Sequence, residues 1–413
     1  MGEVRRVPVL EVAEAVRTAR RDEVSPAAVG LDADAPRRLD AAVGALYATA
    51  LFPAIGLTIR RHGQLVYDRA VGHARGNGPE DGGAPRVLAT PDTPHCIFSA
   101  SKAVTATVVH LLDDRGLLHV DDRVCEYIPE FARRGKEWVT IRHLLTHRAG
   151  LPSLRAERGL DLLLRPDAVI EILCDAELES APGRRLAYHA ITGGFLLGEI
   201  VQRVTGRGIA EVLRAEILDP LGFDGMGYGW RADRLDEVAV NAFTGPPVPW
   251  PLASLARRAL GVDFELAAGV SNTREWLTAV VPAGNIVATG AEVTRFMEML
   301  RLEGELDGVR VMRPRTVRRA LVETSHMELD LTMLLPIRYG LGYMLGANWF
   351  SVFGPDTPRA FGHLGLTNTF VWADPSRAMS VALLTSGKPL FSGHLAAIAR
   401  VLRAINGAVP VVG

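Results

Sequence analysis

Residues 97–116 read IFSASKAVTATVVHLLDDRG, and the fold assignment depends on this stretch. We predict an apolar helix from about Ser99 to Gly116, with Ser99 and Lys102 in its first turn. Because positions three apart share a helical face, the serine hydroxyl and the lysine amine can meet. The helix N-terminus stabilises an alkoxide and disfavours a protonated lysine. The pair is a candidate activated nucleophile, with a serine N-cap and a solvated lysine as the alternative.

Lysine is scarce in this chain. Only Lys102, Lys136 and Lys388 are lysines among 46 basic residues. Arginine stays protonated in proteins, whereas a buried lysine can lose its proton and act as a base. Lys136 is predicted in a polar loop and Lys388 in a turn, so Lys102 is the candidate base. Ser101 points to another helical face and is the poorer nucleophile.

The composition is that of a globular protein. The 413 residues are 48% hydrophobic and 23% charged, which excludes disorder and a collagen-like fibre. A net charge of −1 provides no positive field for nucleic acid or an anionic membrane. No run of 18 uncharged apolar residues is present, so no membrane span is expected. Irregularly spaced cysteines and a charged N-terminus without an apolar h-region favour a cytoplasmic location.

Strand patterns lie near both ends of the chain, and the middle is mostly helical. The predicted elements are a helical 1–50 with a helix start at Asp34, strands at 53–60, 64–71, 339–346, 368–374 and 378–385, helical segments through 120–300, and a closing helix at 391–405. The simplest assembly is one sheet built from both ends with a helical domain inserted.

This assembly defines the predicted domains. The sheet domain comprises 35–115 together with 300–405, the helical domain comprises 116–299, and 1–34 is an N-terminal extension. Within the helical domain, 243–283 carries PPVPWP and scattered aromatic residues. This segment is either a lid or pocket wall, or an irregular surface insertion.

Two further motifs carry possible chemistry. Tyr188-His189-Ala190 precedes an apolar helix, where a tyrosine can join a proton relay, although a lone tyrosine is more often structural. His363-Leu364-Gly365 precedes a strand, and small residues there allow a substrate to approach the strand edge. A free backbone N–H at that edge can donate to an oxyanion.

The three motifs in this order resemble the serine β-lactamase and penicillin-binding-protein superfamily, specifically its class C-like branch with the family VIII carboxylesterases. VTIRHLLTHRAGLPS (139–153) and PAGNIVATGAEVTRFMEML (282–300) are similar to recurring blocks of that branch. The resemblance covers about 35–405 and implies an α+β, β-lactamase/transpeptidase-like fold, with an antiparallel sheet flanked by helices.

The resemblance also implies the roles of individual residues. Ser99 would be the nucleophile, and Lys102 with Tyr188 would be the general base. The backbone N–H groups of Ser99 and Leu366 would form the oxyanion hole. His363, Gly365 and Ala190 would contact the substrate.

The chain departs from the class C β-lactamases at two motifs. Ala190 stands where those enzymes have the asparagine of Y-x-N, and His363-Leu364-Gly365 stands in place of K-T-G. A histidine that is mostly neutral at pH 7 anchors a carboxylate more weakly than lysine does. These changes favour a neutral, apolar acyl substrate.

The expected activity is hydrolysis of short- to medium-chain acyl esters through a Ser99 acyl-enzyme, with no cofactor and no metal. The rivals are a β-lactamase or D-alanyl-D-alanine peptidase, an acyltransferase, and a non-catalytic binding protein on the same fold. His143 and His147 have the i,i+4 spacing of a helical zinc site, but no third ligand stands out, so a structural role is expected. The oligomeric state is not predicted.

Overall fold

Strands from both ends of the chain pair in one antiparallel sheet. The computed structural model describes residues 4–9, 13–14, 16–154, 160–260 and 263–412. The strands in these ranges are β1 (Arg17–Ala19), β2 (Ala54–Arg61), β3 (Gln64–Arg75), β4 (Val87–Leu88), β5 (His95–Cys96), β6 (Met226–Tyr228), β7 (Ile286–Ala288), β8 (Glu305–Leu306), β9 (Val309–Arg310), β10 (Leu329–Asp330), β11 (Leu335–Pro336), β12 (Arg338–Tyr339), β13 (Met344–Leu345), β14 (Phe361–Gly365), β15 (Thr369–Asp374) and β16 (Met379–Thr385). The main sheet has the order β1-β3-β2-β16-β15-β14-β13-β12, with β4 beside β3.

The centre of this sheet follows the predicted strands. β2 and β3 form a hairpin at His62 and Gly63, whose φ angles of 51° and 80° suit a tight hairpin turn. β2 then pairs with β16, where Leu57 lies opposite Leu383 and both side chains are buried. Because the first and last strands of the predicted set are neighbours, the sheet joins the two ends of the chain.

Helices pack around the sheet and fill the middle of the chain. They are α1 (Ala35–Tyr47), α2 (Ser101–Asp114), α3 (Val124–Tyr127), α4 (Ile141–Leu145), α5 (Pro166–Asp175), α6 (Thr192–Thr205), α7 (Ile209–Leu213), α8 (Leu252–Leu260), α9 (Phe264–Val270), α10 (Arg274–Thr278), α11 (Gly290–Arg301), α12 (Pro314–Ala320) and α13 (His394–Ala408). α11 packs on β2, β15 and β16, and α1 packs against α13. The α+β, β-lactamase/transpeptidase-like fold is confirmed.

The N-terminal prediction is partly wrong. The helix after Asp34 is confirmed as α1, with Leu39, Val43 and Leu46 buried along one stripe. Before it, however, the described residues form β1 and a short 3-10 turn at Pro26–Val29. β1 pairs with the outer edge of β3, whose backbone groups would otherwise lack partners. The first three residues, 10–12 and Ala15 lie outside the described part.

The strand predicted at 339–346 is also wrong, because the chain turns there. β12 ends at Tyr339 and β13 begins at Met344, and the two pair with each other. The turn holds Gly342 at φ 90°, where a Cβ atom would lie 2.3 Å from the Cβ of Ala106. The glycine therefore allows the turn to pack directly on α2.

The middle of the chain is helical, but it also contains β6 and β7, which join β5 in a small sheet that the pattern did not predict, with the order β5-β7-β6. The 243–283 segment includes α8, α9 and α10. The exact domain boundaries stay a prediction. In the described ranges, no helix combines the length and apolarity needed to cross a bilayer.

Candidate active site

Ser99 lies in a strained turn between the small sheet and α2. The turn is a 3-10 segment, Phe98–Ala100, and α2 begins directly after it at Ser101. Phe98 has a φ of 49°, a left-handed conformation that costs a non-glycine residue about 1–2 kcal/mol. Ser99 is partly exposed, whereas Phe98 and Ala100 on either side are buried. The turn thus presents the Ser99 hydroxyl at the N-terminus of a helix.

Lys102 reaches back to Ser99 from the first turn of α2. Its Nζ atom lies 3.1 Å from Ser99 Oγ, 2.7 Å from the Ala190 carbonyl oxygen and 2.8 Å from that of Ala283. Burial lowers the pKa of Lys102 to about 7. A neutral amine has two N–H donors for the two carbonyls and one lone pair for the Ser99 O–H. Lys102 is therefore arranged as a base for Ser99.

Ser101 has a structural role. Its side chain is fully buried, and its Oγ accepts a hydrogen bond of 2.9 Å from the backbone N–H of Ile286. That bond ties the start of α2 to β7. The hydrogen-bond partners of the Lys102 amine are Ser99, Ala190 and Ala283, and Ser101 is not among them.

Tyr188 lies beside this pair, just before α6. The Nζ atom of Lys102 is 5.0 Å from the centroid of its ring. The Tyr188 hydroxyl is buried and makes no hydrogen bond of regular geometry with the described residues. Burial raises the pKa of Tyr188, and its interaction with the Ser99 hydroxyl opposes this. The side chain is therefore a neutral phenol that can donate a proton near Ser99.

Buried polar groups lie behind Tyr188, and no sequence pattern predicted that they contact it. The Oδ1 atom of Asp330 accepts from the Tyr188 backbone N–H at 3.1 Å, and its Oδ2 accepts from the Tyr339 hydroxyl at 3.2 Å. The His147 ring lies 4.6 Å from the Tyr188 ring, and its Nδ1 accepts from the His189 backbone N–H. These residues come from separate segments, so only the fold unites them.

The end of β14 lies directly against the Ser99 turn. A Cβ atom on Gly365 would lie 2.1 Å from the carbonyl oxygen of Ile97, so only glycine allows this approach. Leu366, the next residue, lines the same cleft as Ser99. The position is compatible with the predicted oxyanion role of the Leu366 N–H, which stays a prediction.

Of the three residues predicted to contact substrate, Gly365 lies against the Ser99 turn, and Ala190 and His363 lie in different places. Ala190 lines the Ser99 cleft. His363 is buried on β14, outside the lining of this cleft, with its ring 6.0 Å from that of Tyr188. Its Nδ1 is 2.7 Å from the Leu364 carbonyl oxygen, and burial lowers its pKa to about 3. His363 is therefore neutral and provides no positive charge for a carboxylate.

The cleft beside Ser99 has apolar walls, and part of them comes from the 243–283 segment. Its larger side chains are Phe98, Leu163, Ile191, Leu260, Trp276 and Leu366. No charged side chain of the described residues lines it. Leu260 and Trp276 of this segment line the cleft, and its role as a lid or pocket wall stays a prediction.

The two histidines with zinc-like spacing have structural contacts. α4 ends at Leu145, so the pair does not share a helix. His143 Nδ1 accepts from the Thr140 backbone N–H at 3.2 Å in a capping box. Across the described ranges, no group of three His, Cys, Asp or Glu side chains is arranged to hold a metal.

Known proteins share both sequence and fold with this chain. The Beta-lactamase family model matches residues 39–405. The esterase/beta-lactamase LipL of Mycobacterium tuberculosis is 32% identical over 71% of this chain and 69% of its own length. Esterase EstB of Burkholderia gladioli is 30% identical over 67% of this chain and 73% of its own. A crystal structure of a family VIII carboxylesterase shares the fold, with a TM-score of 0.76 at 24% identity, covering 91% of this chain and 99% of that one.

The family match spans both the sheet and the helical middle, and it includes Ser99, Lys102 and Tyr188. The relatives and the Ser–Lys pair support serine hydrolase activity for this fold. The chain belongs to the Beta-lactamase family.

Proposed function

We propose that this protein is a carboxylesterase that cleaves short- to medium-chain acyl esters through an acyl-enzyme on Ser99. The observation that carries the proposal is the contact of 3.1 Å between Ser99 Oγ and a buried lysine amine whose pKa is near neutrality. The same contact would serve a β-lactamase, a D-alanyl-D-alanine peptidase or an acyltransferase on this fold, so the choice of an ester rests on the cleft.

In the first half of the reaction, Lys102 Nζ accepts the Ser99 proton as Oγ attacks the ester carbonyl carbon. The backbone N–H groups of Ser99 and Leu366 stabilise the oxyanion. The C–O bond of the ester then breaks, and the leaving alcohol takes a proton from Tyr188. The proton on Lys102 passes to Tyr188, which restores both groups.

In the second half, water attacks the acyl carbon and gives its proton to the Lys102–Tyr188 pair. The bond from Ser99 Oγ to the acyl carbon breaks, Oγ regains a proton from that pair, and the carboxylic acid leaves. The net reaction consumes one ester and one water and forms one acid and one alcohol. No cofactor is required.

The cleft supports a neutral acyl group. Its lining is apolar, and Ala190 has no amide to hold a β-lactam side chain. His363 is neutral and lies outside the cleft, so among the described lining residues no cation faces a substrate carboxylate. Charge-assisted hydrogen bonds contribute about 1.5–3 kcal/mol each, so losing two would cost on the order of 10²–10⁴-fold in kcat/KM for an antibiotic.

The proposal is tested with a panel of p-nitrophenyl esters, nitrocefin and penicillin G on the purified protein. We expect p-nitrophenyl butyrate to be hydrolysed well and penicillin G poorly. Ser99→Ala serves as the control for contaminating activity. A kcat/KM for penicillin G at or above that for the butyrate ester would overturn the esterase assignment in favour of a β-lactamase.

The other rivals separate in the same assay. A D-alanyl-D-alanine peptidase would cleave D-Ala-D-Ala peptides faster than the nitrophenyl esters. An acyltransferase would release nitrophenol faster when an alcohol or amine acceptor is added, and would form the transfer product. A non-catalytic protein would fail to react with a fluorophosphonate probe.

The proposal includes a cytoplasmic location. Cys96, Cys125 and Cys174 are all free thiols. Free cysteines are typical of a reducing compartment. Expression with fractionation of the cells tests this part, and recovery of the protein from the culture medium would contradict it.

A further inference from the structure

Lys388 is fully buried close to the Ser99 turn, and the proposed reaction leaves it unused. It follows β16 in a stretch, TSGKPL, that reads as an ordinary turn. Burial lowers the pKa of Lys388, and the nearby Cys96 thiol raises it. No carboxylate of the described residues contributes to that pKa. Burial of a lysine amine without an acidic partner costs folding free energy. Such groups are concentrated at functional sites, so we consider which residues Lys388 contacts.

Those contacts join three segments. The Nζ atom of Lys388 donates to the Thr385 carbonyl oxygen at 2.6 Å and to Thr369 Oγ1 at 3.3 Å. It also lies 4.7 Å from the centroid of the Phe98 ring. Thr385 ends β16 and Thr369 begins β15, so Lys388 connects the ends of two central strands to the residue before Ser99.

The backbone conformation of Phe98 is unfavourable and has to be stabilised by contacts of this kind. Its φ of 49° is unfavourable for a side chain with a Cβ atom, and such a conformation persists when surrounding contacts hold it. Relaxation of Phe98 to an ordinary conformation would rotate the next residue, Ser99. The Phe98 ring is buried, and the Nζ atom of Lys388 lies over its face, where amine N–H groups are attracted to the π-electrons whether or not the amine is protonated.

Lys388 also contacts the end of β14, which carries the predicted oxyanion donor Leu366, through Thr369. Thr369 pairs with Gly365 across β14 and β15. Gly365 lies against Ile97, and Leu366 follows it. A shift of Thr369 would therefore move the strand end that carries the Leu366 N–H relative to the Ser99 turn.

We infer that Lys388 is a positioning residue, which holds the Phe98 ring against the ends of β15 and β16 and so keeps Ser99 Oγ in register with Lys102 and the Leu366 N–H. Lys388 does not touch the reacting atoms in this arrangement. The inference rests on the proposed function, because it concerns the reactivity of Ser99.

The test compares Lys388→Met with Lys136→Met. Methionine keeps most of the apolar length of lysine and removes the donors. Lys136 is a matched control, because it is also buried, donates to the Cys174 carbonyl oxygen at 3.0 Å and lies 5.4 Å from the Phe131 ring. The main readout is the second-order rate of Ser99 labelling by a fluorophosphonate probe, measured on folded protein, with kcat and KM for p-nitrophenyl butyrate beside it.

A displacement of about 1 Å at a reacting group can cost on the order of 10²-fold in rate. We therefore expect Lys388→Met to lose about 10- to 100-fold in labelling rate and kcat, with KM nearly unchanged. Lys136→Met should keep the wild-type labelling rate per folded molecule. Wild-type labelling by folded Lys388→Met would overturn the inference, and so would an equal loss in both variants.

Thr369→Val decides the question if Lys388→Met fails to fold, since valine preserves shape and removes one acceptor of the Lys388 amine. We expect a loss of several-fold in labelling rate with KM nearly unchanged, and an unchanged rate in folded Thr369→Val would overturn the inference. Failure of the wild-type protein to react with the probe would instead contradict the proposed function.

Discussion

Gly365 lies so close to Ile97 that a Cβ atom on the glycine would stand 2.1 Å from the Ile97 carbonyl oxygen. The end of β14 and the Ser99 turn are therefore in backbone contact. The predicted oxyanion hole consists of the backbone N–H groups of Ser99 and Leu366. Leu366 directly follows Gly365, and Ser99 is two residues after Ile97, so both groups belong to the segments that meet at this contact. Their separation depends on the absence of a side chain at residue 365.

Gly365→Ala should push the strand end away from the turn. Overpacking of this kind destabilises a protein by about 1–3 kcal/mol, and we expect kcat to fall by on the order of 10²-fold because the oxyanion donors separate. Gly393→Ala is the control, since Gly393 has a φ of −58° and nothing within 4 Å of its Cβ position. Thermal unfolding and ester kinetics of both variants check this, and an active Gly365→Ala enzyme would contradict it.

Ser99→Ala should abolish acyl-enzyme formation, because the alanine has no nucleophile. Intact-mass spectrometry after treatment with a fluorophosphonate should show one adduct on the wild-type protein and none on the variant. Peptide mapping should locate the adduct on the peptide that contains Ser99. Since Ser101 is fully buried and hydrogen-bonded to Ile286, Ser101→Ala should still be labelled. An adduct on Ser101 would show that the nucleophile is assigned wrongly.

Lys102 should impose a pH dependence on the reaction. Its pKa is lowered from the usual value to about 7, and the neutral amine is the active form. As the pH falls through this pKa the amine gains a proton, so kcat/KM should decrease below about pH 7 and reach a plateau above it. A profile of kcat/KM from acid to mildly alkaline pH measures this. A flat profile would contradict a lysine base.

Lys102→Arg should be nearly as damaging as Lys102→Ala, since a guanidinium stays protonated and cannot accept the Ser99 proton. We expect losses on the order of 10²-fold or more in kcat for both variants. Circular dichroism should first establish that each is folded. An arginine variant with kcat close to the wild type would reduce Lys102 to an electrostatic support.

Tyr188→Phe should lower kcat by on the order of 10²-fold, since it removes only the hydroxyl that passes a proton near Ser99. The ring contacts with Lys102 and His147 remain, so the stability should change little. Steady-state kinetics and thermal unfolding measure the two effects. Unchanged kcat and KM would assign Tyr188 a structural role.

Leu260→Ala should shift the preference toward longer acyl chains. Leu260 lines the Ser99 cleft at the end of α8, so the shorter alanine side chain leaves more room in the apolar cleft. Each additional buried methylene contributes about 0.8 kcal/mol, or about fourfold in kcat/KM, wherever it finds room. We expect the octanoate-to-butyrate ratio of kcat/KM to rise. Leu266→Ala, at an exposed position on α9, should leave that ratio unchanged; a constant ratio in Leu260→Ala would exclude the cleft as the acyl site.

Features that depend on residues close together in the sequence can be predicted without a structure. The contact between Ser99 and Lys102 follows from their spacing at a helix start, and the central strands follow from the alternation of apolar residues. These patterns reflect backbone geometry over a few residues. The turn at 340–343 escaped prediction because it depends on how closely Gly342 packs on Ala106, a residue far away in the sequence.

The chemical state of the site depends instead on distant segments. Burial lowers the pKa of Lys102, whose amine contacts carbonyls of the remote residues Ala190 and Ala283, and burial likewise keeps His363 neutral. Lys388 sits in a polar turn by sequence, yet it is enclosed beside Phe98. Every segment that covers a charged group removes water from it, and this loss of water shifts the pKa of the group. A local sequence pattern therefore predicts which residues carry the chemistry. The packing of remote segments determines the protonation and alignment of those residues.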